Sequence, residues 1–351
     1  MNQYFMTLLL GNGMKVYTYK ELKKASNNFN LANKINQGGV GSVYKGVLKD
    51  GRLAAIKVLS LEFRLNADKF LREISVISEI QHENLVELYG CCVEGGHRIL
   101  VYGYLENSSL EHTLLGKCII IFFLIKFFWE NLRTMYILFH QNILHELNAE
   151  TFDFQPHIAG EGVSNIKFNW QARCRICIGV ARGLEFLHDQ EQPNNVHRDI
   201  RASNIVLDED LKPKISDFGL ANLIRQDVTR LISLCPMAPE DVFMGPLTRK
   251  SDVYRFGILL VEIVSGRSDR RILEQTWKLY NRRELVELVD TSLDWGWCLE
   301  EACKYLKISL LCTQSSPRLR PTMSSVLKML IGEMDVDESK ITRPGLVSDI
   351  P

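Results

Sequence analysis

Three oxygen-bearing residues constrain this chain more than any others. Asp199 and Asn204 stand in Val196-His197-Arg198-Asp199-Ile200-Arg201-Ala202-Ser203-Asn204, and Asp217 opens Asp217-Phe218-Gly219. The Asn lies five residues after the first Asp, and the second Asp thirteen residues after that. The spacing puts one proton acceptor and two oxygen ligands close together. Phosphoryl transfer needs such a set: one carboxylate to orient a hydroxyl, and hard oxygen ligands for Mg²⁺ on nucleotide phosphates.

The length, 351 residues, is enough to bury a large core and to hold a two-lobed domain. Lys+Arg and Asp+Glu are both 42, so no charge excess points to nucleic acid or to an anionic surface. Nine cysteines form no recognisable disulfide framework. Cys174-x-x-Cys177 lacks the second ligand pair a zinc site needs, and both residues read as buried thiols in a reducing, cytoplasmic setting. Met1 to Leu10 has no basic region and no cleavage site, and no run reaches the roughly 18 apolar residues of a spanning helix.

Tyr17 to Asn30 reads as a short amphipathic helix. A strand, glycine turn and strand follow over Lys34 to Gly46, with Gly38, Gly39 and Gly41 in the turn. Asp50-Gly51 signals a hairpin, and Leu53 to Val58 the next strand. Phe70, Ile74 and Ile77 share a helical face. Leu85 to Cys92 and Arg98 to Tyr102 complete a β-rich first part. From Trp170 helices dominate: Ile176, Val180, Leu184 and Leu187 mark one face, and Val253 to Val264 is apolar nearly all round. A small β-rich lobe before a larger helical one suits an enzyme that binds its nucleotide between lobes.

Glycines let backbone N–H groups approach phosphates. Ala54-Ala55-Ile56-Lys57 then offers a cation from an apolar strand, and Glu73 on the following helix is its expected ion-pair partner. Taken together, these motifs resemble the eukaryotic protein kinases. Tyr19-Lys20-Glu21-Leu22, His82-Glu83-Asn84-Leu85-Val86, Leu100-Val101-Tyr102, Gly183-Leu184-x-Phe186-Leu187-His188 and Lys250-Ser251-Asp252-Val253-Tyr254 narrow the resemblance to plant receptor-like Ser/Thr kinases, of the cold-responsive cytoplasmic and leucine-rich-repeat receptor types.

The resemblance implies an α+β, two-lobed fold with residues 1–28 as an N-terminal extension, 29–105 as the small lobe, 106–332 as the large lobe and 333–351 as a tail. It implies ATP and Mg²⁺, protein substrates with Ser/Thr hydroxyls, and two alternatives for context: a cytoplasmic kinase, or one held at the plasma membrane by a receptor kinase. Asp199 would orient the hydroxyl, Arg201 would serve near the γ-phosphate, and Asn204 and Asp217 would ligate the metal. Lys57 would hold the α/β-phosphates. Ile35, Gly38, Gly39, Gly41, Val43, Ala55, Tyr102, Tyr104, Leu105 and Val206 would surround the nucleotide, Tyr102 as gatekeeper and Tyr104 with Leu105 as the hinge. His197 is expected to pack and hydrogen-bond rather than to shuttle protons. Arg198 would meet a phosphate on the activation segment, Asp252 would anchor the catalytic loop, and Arg320 would be the buried partner of Glu240 in Ala238-Pro239-Glu240.

Four departures stand out. Asn36 begins the glycine loop where the family has Gly, which is expected to weaken nucleotide binding. Arg201 replaces a Lys, exchanging a point charge for a planar fork. The activation segment reads Ile232-Ser233-Leu234-Cys235-Pro236-Met237, without the family's glycines. That alteration motivates a rival reading, a pseudokinase scaffold, against which the complete catalytic set argues. Last, Lys117 to Gly160 matches nothing in the family and carries the apolar run Cys118 to Trp129. It reads as a translated, retained intron: Gly116-Lys117 can be encoded by the donor-like GGTAAG and Ala159-Gly160 by the acceptor-like GCAGG. A regulatory insertion and a membrane-contacting hairpin are the competing readings.

Overall fold

The computed structural model describes residues 13–38, 40–60, 66–115, 168–189, 196–218, 238–242, 248–290 and 298–346. Gly39, the insertion from Lys117 to Gly160 and the altered stretch Ile232 to Met237 lie outside the described residues. One six-stranded sheet contains β1 (Lys15–Val16), β2 (Lys34–Gly38), β3 (Gly41–Val47), β4 (Leu53–Leu59), β5 (Leu88–Glu94) and β6 (His97–Gly103), in the order β1-β5-β6-β4-β3-β2. All pairs are antiparallel except β1 with β5.

The pleat of β4 and β6 sorts side chains between two cores. Ala54, Ile56, Ile99 and Val101 face outward into a cluster closed by Tyr17 and Leu22. Leu59, Leu100 and Tyr102 face the opposite way, into the main core. Strands apolar on both faces need a cover on both. Helix α1 (Tyr19–Ala25) supplies the outer one. A capping box starts it, with Thr18 accepting from Glu21 N–H and Glu21 accepting from Thr18 N–H. Three successive left-handed residues, Asn27, Asn28 and Phe29, stop it short of the Tyr17–Asn30 span the sequence suggests. Residues 14–28 are thus not an appendage: β1 joins the sheet and α1 seals its outer face. Helix α2 (Ala67–Ser78) covers the inner face with Phe70, Leu71, Ile74 and Ile77.

In the larger lobe, α3 (Leu110–Thr113), α4 (Trp170–Asp189), α5 (Pro239–Val242), α6 (Arg249–Ser265), α7 (Ile272–Arg282), α8 (Leu299–Cys312) and α9 (Met323–Ile331) follow in order. The apolar positions expected on α4 are all buried, and α6 is buried almost throughout. A hairpin of β7 (Ile205–Leu207) and β8 (Pro213–Ile215) lies beside the small lobe. Its register to that lobe is set by Ile215 N–H to Asn84 O (2.8 Å) and Val86 N–H to Ile215 O (3.0 Å). The Leu85–Glu87 stretch belongs to this junction and not to β5, where the sequence places it. The tail also packs. Gly345 N–H donates to Thr313 O (3.0 Å) and Tyr254 Oη donates to Gly345 O (2.5 Å).

Candidate active site

The hairpin β7–β8 is what folds Asp217 back onto Asp199 and Asn204. Asn204 stands just before β7 and Ser216 just after β8, and Ser216 N–H closes the hairpin base on Asn204 O at 2.8 Å. The Asn204 side-chain amide donates to Asp199 O and to Asp199 Oδ2, both at 2.8 Å. Both amide protons are thereby used on one residue, and the side-chain oxygen, Asn204 Oδ1, remains as an acceptor suited to a hard cation.

The loop itself hangs from α6. Asp252 Oδ2 accepts from His197 N–H (2.8 Å) and lies 3.0 Å from His188 Nε2, and its Oδ1 accepts from Arg198 N–H (2.7 Å). Burial pulls this carboxyl up, but the His188 hydrogen bond, the electrostatic pull of the two neighbouring histidines and the Arg198 N–H outweigh it, and it stays below the ordinary aspartate value. The anchor role expected for Asp252 is borne out in these bonds. His197 Nδ1 accepts from Asp199 N–H (3.2 Å), so its Nε2 carries the proton and donates to Ser216 O (2.9 Å). With both nitrogens engaged, His197 ties the loop to Ser216, as the sequence suggests. Arg198 and Asp217 both adopt left-handed backbone, φ 71° and 64°. Such conformations in non-glycine residues persist where surrounding bonds over-determine them.

Lys57 reaches across from β4. Its Nζ lies 2.6 Å from Asp217 Oδ2, both partners largely buried. This corrects the sequence expectation. Among the described residues no ion pair joins Lys57 to Glu73; Asp217 holds the ammonium, and the Glu73 charge acts instead on the Arg198 guanidinium. Sequence spacing offered Glu73 on the following helix and did not show that folding brings Asp217 to Lys57.

The described residues expected at the nucleotide fall on β2, β3, β4, β6 and β7, or just after β6. Val43 is the cross-strand partner of Lys57, and Ala55 of Tyr102. Tyr104 and Leu105 follow β6, with Lys45 Nζ 4.4 Å over the Tyr104 ring. Ile35 on β2 is partly exposed, and Val206 is partly buried on β7. Gly38 ends β2 and pairs with Gly41. At Gly41 the missing Cβ is required by the sheet itself: an added Cβ would stand 2.1 Å from Val58 O. Asn36 pairs with Val43 inside β2 and is not among the left-handed residues, so the departure there carries no backbone strain. Burial, followed by the Asp217 charge, raises the Tyr102 hydroxyl above the ordinary phenol value, and this hydroxyl has no hydrogen-bond partner among the described residues.

Arg320 grips Glu240 with both guanidinium arms, Nη2 to Oε2 at 2.8 Å, as the sequence suggests. A second pair beside it, Arg255 to Asp241, was not legible. Neither was Glu262 on α6. Burial pushes its carboxyl up to about 7; the Ser268 hydroxyl 2.6 Å away and the Arg201 charge oppose this, and the Glu111 charge adds to it. Burial likewise pushes the Cys174 thiol up to about 12, which keeps it a neutral thiol.

Comparison with known proteins adds a family to this geometry. Residues 29–330 match the family model described as protein tyrosine and serine/threonine kinase. Cold-responsive protein kinase 1 of Arabidopsis thaliana is 50% identical, over 96% of this chain and 80% of that protein. Two probable LRR receptor-like serine/threonine-protein kinases of the same plant are 39% and 40% identical, over 97% and 95% of this chain. The chain spans only 30% and 29% of their lengths.

Proposed function

The chain belongs to the protein tyrosine and serine/threonine kinase family, and from that premise we propose that it transfers the γ-phosphate of ATP to serine and threonine hydroxyls of protein substrates. The observation that carries this reading is the convergence of Lys57, Asp217, Asn204 and Asp199 at the junction of the lobes. Asp199 orients the acceptor hydroxyl: Asn204 steadies its Oδ2, and the other oxygen is left to accept the proton. Asn204 and Asp217 would hold Mg²⁺, whose charge would offset that of the phosphate oxygens. Lys57 supplies the cation for the α/β-phosphates, and Arg201 a second charge toward the γ-phosphate. The altered segment behind the scaffold reading lies outside the described residues, and the Lys57–Asp217 and Asn204–Asp199 bonds support transfer.

Among the described residues no helix is long and apolar enough to cross a membrane. The described cysteines are free thiols, which fits a reducing compartment. We infer a cytoplasmic kinase whose upstream partner is a receptor kinase at the plasma membrane.

Asp199→Asn and Lys57→Met separate the two halves of the site. Mg²⁺-ATP should raise the melting temperature of the wild type and of Asp199→Asn alike, following mass action. The shift should shrink in Lys57→Met. Autophosphorylation should vanish in Asp199→Asn, and equal loss of nucleotide binding there would overturn the division of roles.

A further inference from the structure

Helix α5 carries two acidic residues in succession, and α6 together with the segment before α9 answers each with an arginine. The Glu240 carboxylate is held bidentately by Arg320, whose Nε also donates to Gln314 O at 2.8 Å. The Asp241 carboxylate is held quite differently. Its Oδ1 accepts from Ser251 Oγ at 2.8 Å, while Oδ2 receives a single bond from Arg255 Nη2 at 3.3 Å. Asp241 is 2% exposed and Arg255 5%. Arg255 Nε and Nη1 are buried without a hydrogen-bond partner among the described residues.

Such an arrangement costs stability. Removing two charges from water is repaid only when the geometry is good and the remaining protons are satisfied. Two guanidinium nitrogens here are not. Burial raises the Asp241 carboxyl above the ordinary aspartate value even against Arg255 and Ser251, so the pair recovers only part of what desolvation takes. A leucine–methionine contact in the same space would hold the helices together more cheaply.

What the pair does fix is position. Ser251 and Arg255 lie one turn apart on α6, and Asp252 lies between them in sequence. Asp252 carries the backbone of His197 and Arg198, next to Asp199. The first two turns of α6 therefore support both the catalytic loop and α5. Ser251, which binds Asp241, adjoins Asp252, which holds the loop of Asp199, so a shift of α5 on α6 is passed to the residue that meets the acceptor hydroxyl. Apolar contacts slide; a charge pair in a dry interior does so only at high cost.

We propose that Asp241 and Arg255 form a positioning pair for the acceptor protein, registering α5 on α6 beside the catalytic loop. The proposal rests on the kinase reading above. It requires opposite signs in two measurements on one variant, which a stabilising contact does not give. The double variant Asp241→Leu/Arg255→Met should melt at or a few degrees above the wild type. Its apparent KM for myelin basic protein should rise about fivefold or more, with KM for ATP unchanged. Asp241→Asn keeps the shape and the Ser251 bond but removes the charge, and should raise the same KM in part even if the double variant does not fold. Wild-type KM for myelin basic protein in Asp241→Asn or in the folded double variant overturns the proposal, as does a parallel rise in KM for ATP. A wild-type chain that phosphorylates neither itself nor the probe overturns the kinase reading, and the proposal with it.

Discussion

At the scale of single residues, partner choice decides the chemistry. Lys57 stands where the apolar strand predicts, yet its partner is Asp217 and not Glu73. The β7–β8 hairpin carries Asp217 to the ammonium, a placement that the spacing of Lys57 and Glu73 along the chain does not reveal. At Glu262 burial prevails, with the Ser268 hydroxyl and the Arg201 charge opposing it only in part. Its native pKa, about 7, lies above the roughly 4.3 of an unfolded glutamate. The native state thus favours the protonated form, and the wild type loses stability as pH rises from about 4.3 through 7. Glu262→Gln removes that dependence. Its melting temperature relative to wild type should lie near zero or below at about pH 5 and become more positive toward about pH 8. A difference that is flat across this range would mean that the carboxyl is solvated.

At the scale of elements, the sheet and α6 each recruit cover from distant sequence. The sheet recruits β1 and α1; α6 and α8 recruit the tail, through Tyr254 Oη to Gly345 O and Gly345 N–H to Thr313 O. Gly345 is there because nothing larger fits. An added Cβ would stand 2.6 Å from Pro239 Cγ and 2.8 Å from Ser315 Cα. Neither atom is the end of a flexible side chain, so the strain cannot be relieved by a rotamer change. Gly345→Val should cost about 1–3 kcal/mol, a fall of several degrees in melting temperature. Unchanged melting would show that the tail leaves Pro239 in solution. Both covers were hard to see in the sequence, since one strand is two residues long and the tail has no periodicity. The apolar content of both faces of β4 was the signal available.

For the whole molecule, the open question is the segment between α3 and α4. Its Cys118 to Trp129 run is apolar enough to drive aggregation wherever it is exposed. Length alone costs little, because loop closure grows only with the logarithm of length. Deleting Lys117 to Gly160 should therefore raise the soluble fraction and the melting temperature, and leave Mg²⁺-ATP binding intact. Side-by-side expression of both forms checks this. A lower melting temperature after deletion would mark the segment as a structural element and remove the physical support for a retained intron.

The sequence by itself determined the motifs, the strand and helix periods, the buried faces of α4 and α6, and two long-range partnerships, Glu240 with Arg320 and Asp252 with the catalytic loop. The periods and faces follow from local pattern; the two partnerships were what the resemblance to the kinases implied, and the hydrogen bonds of Arg320 and Asp252 agree with it. Only the tertiary structure decided which acid takes Lys57, that Gly41 is demanded by β4, that residues 14–28 belong to the small lobe, and that Asp241 meets Arg255. In each of these, several residues could satisfy the same local rule. Burial and distance, which are properties of the assembled core, select among them.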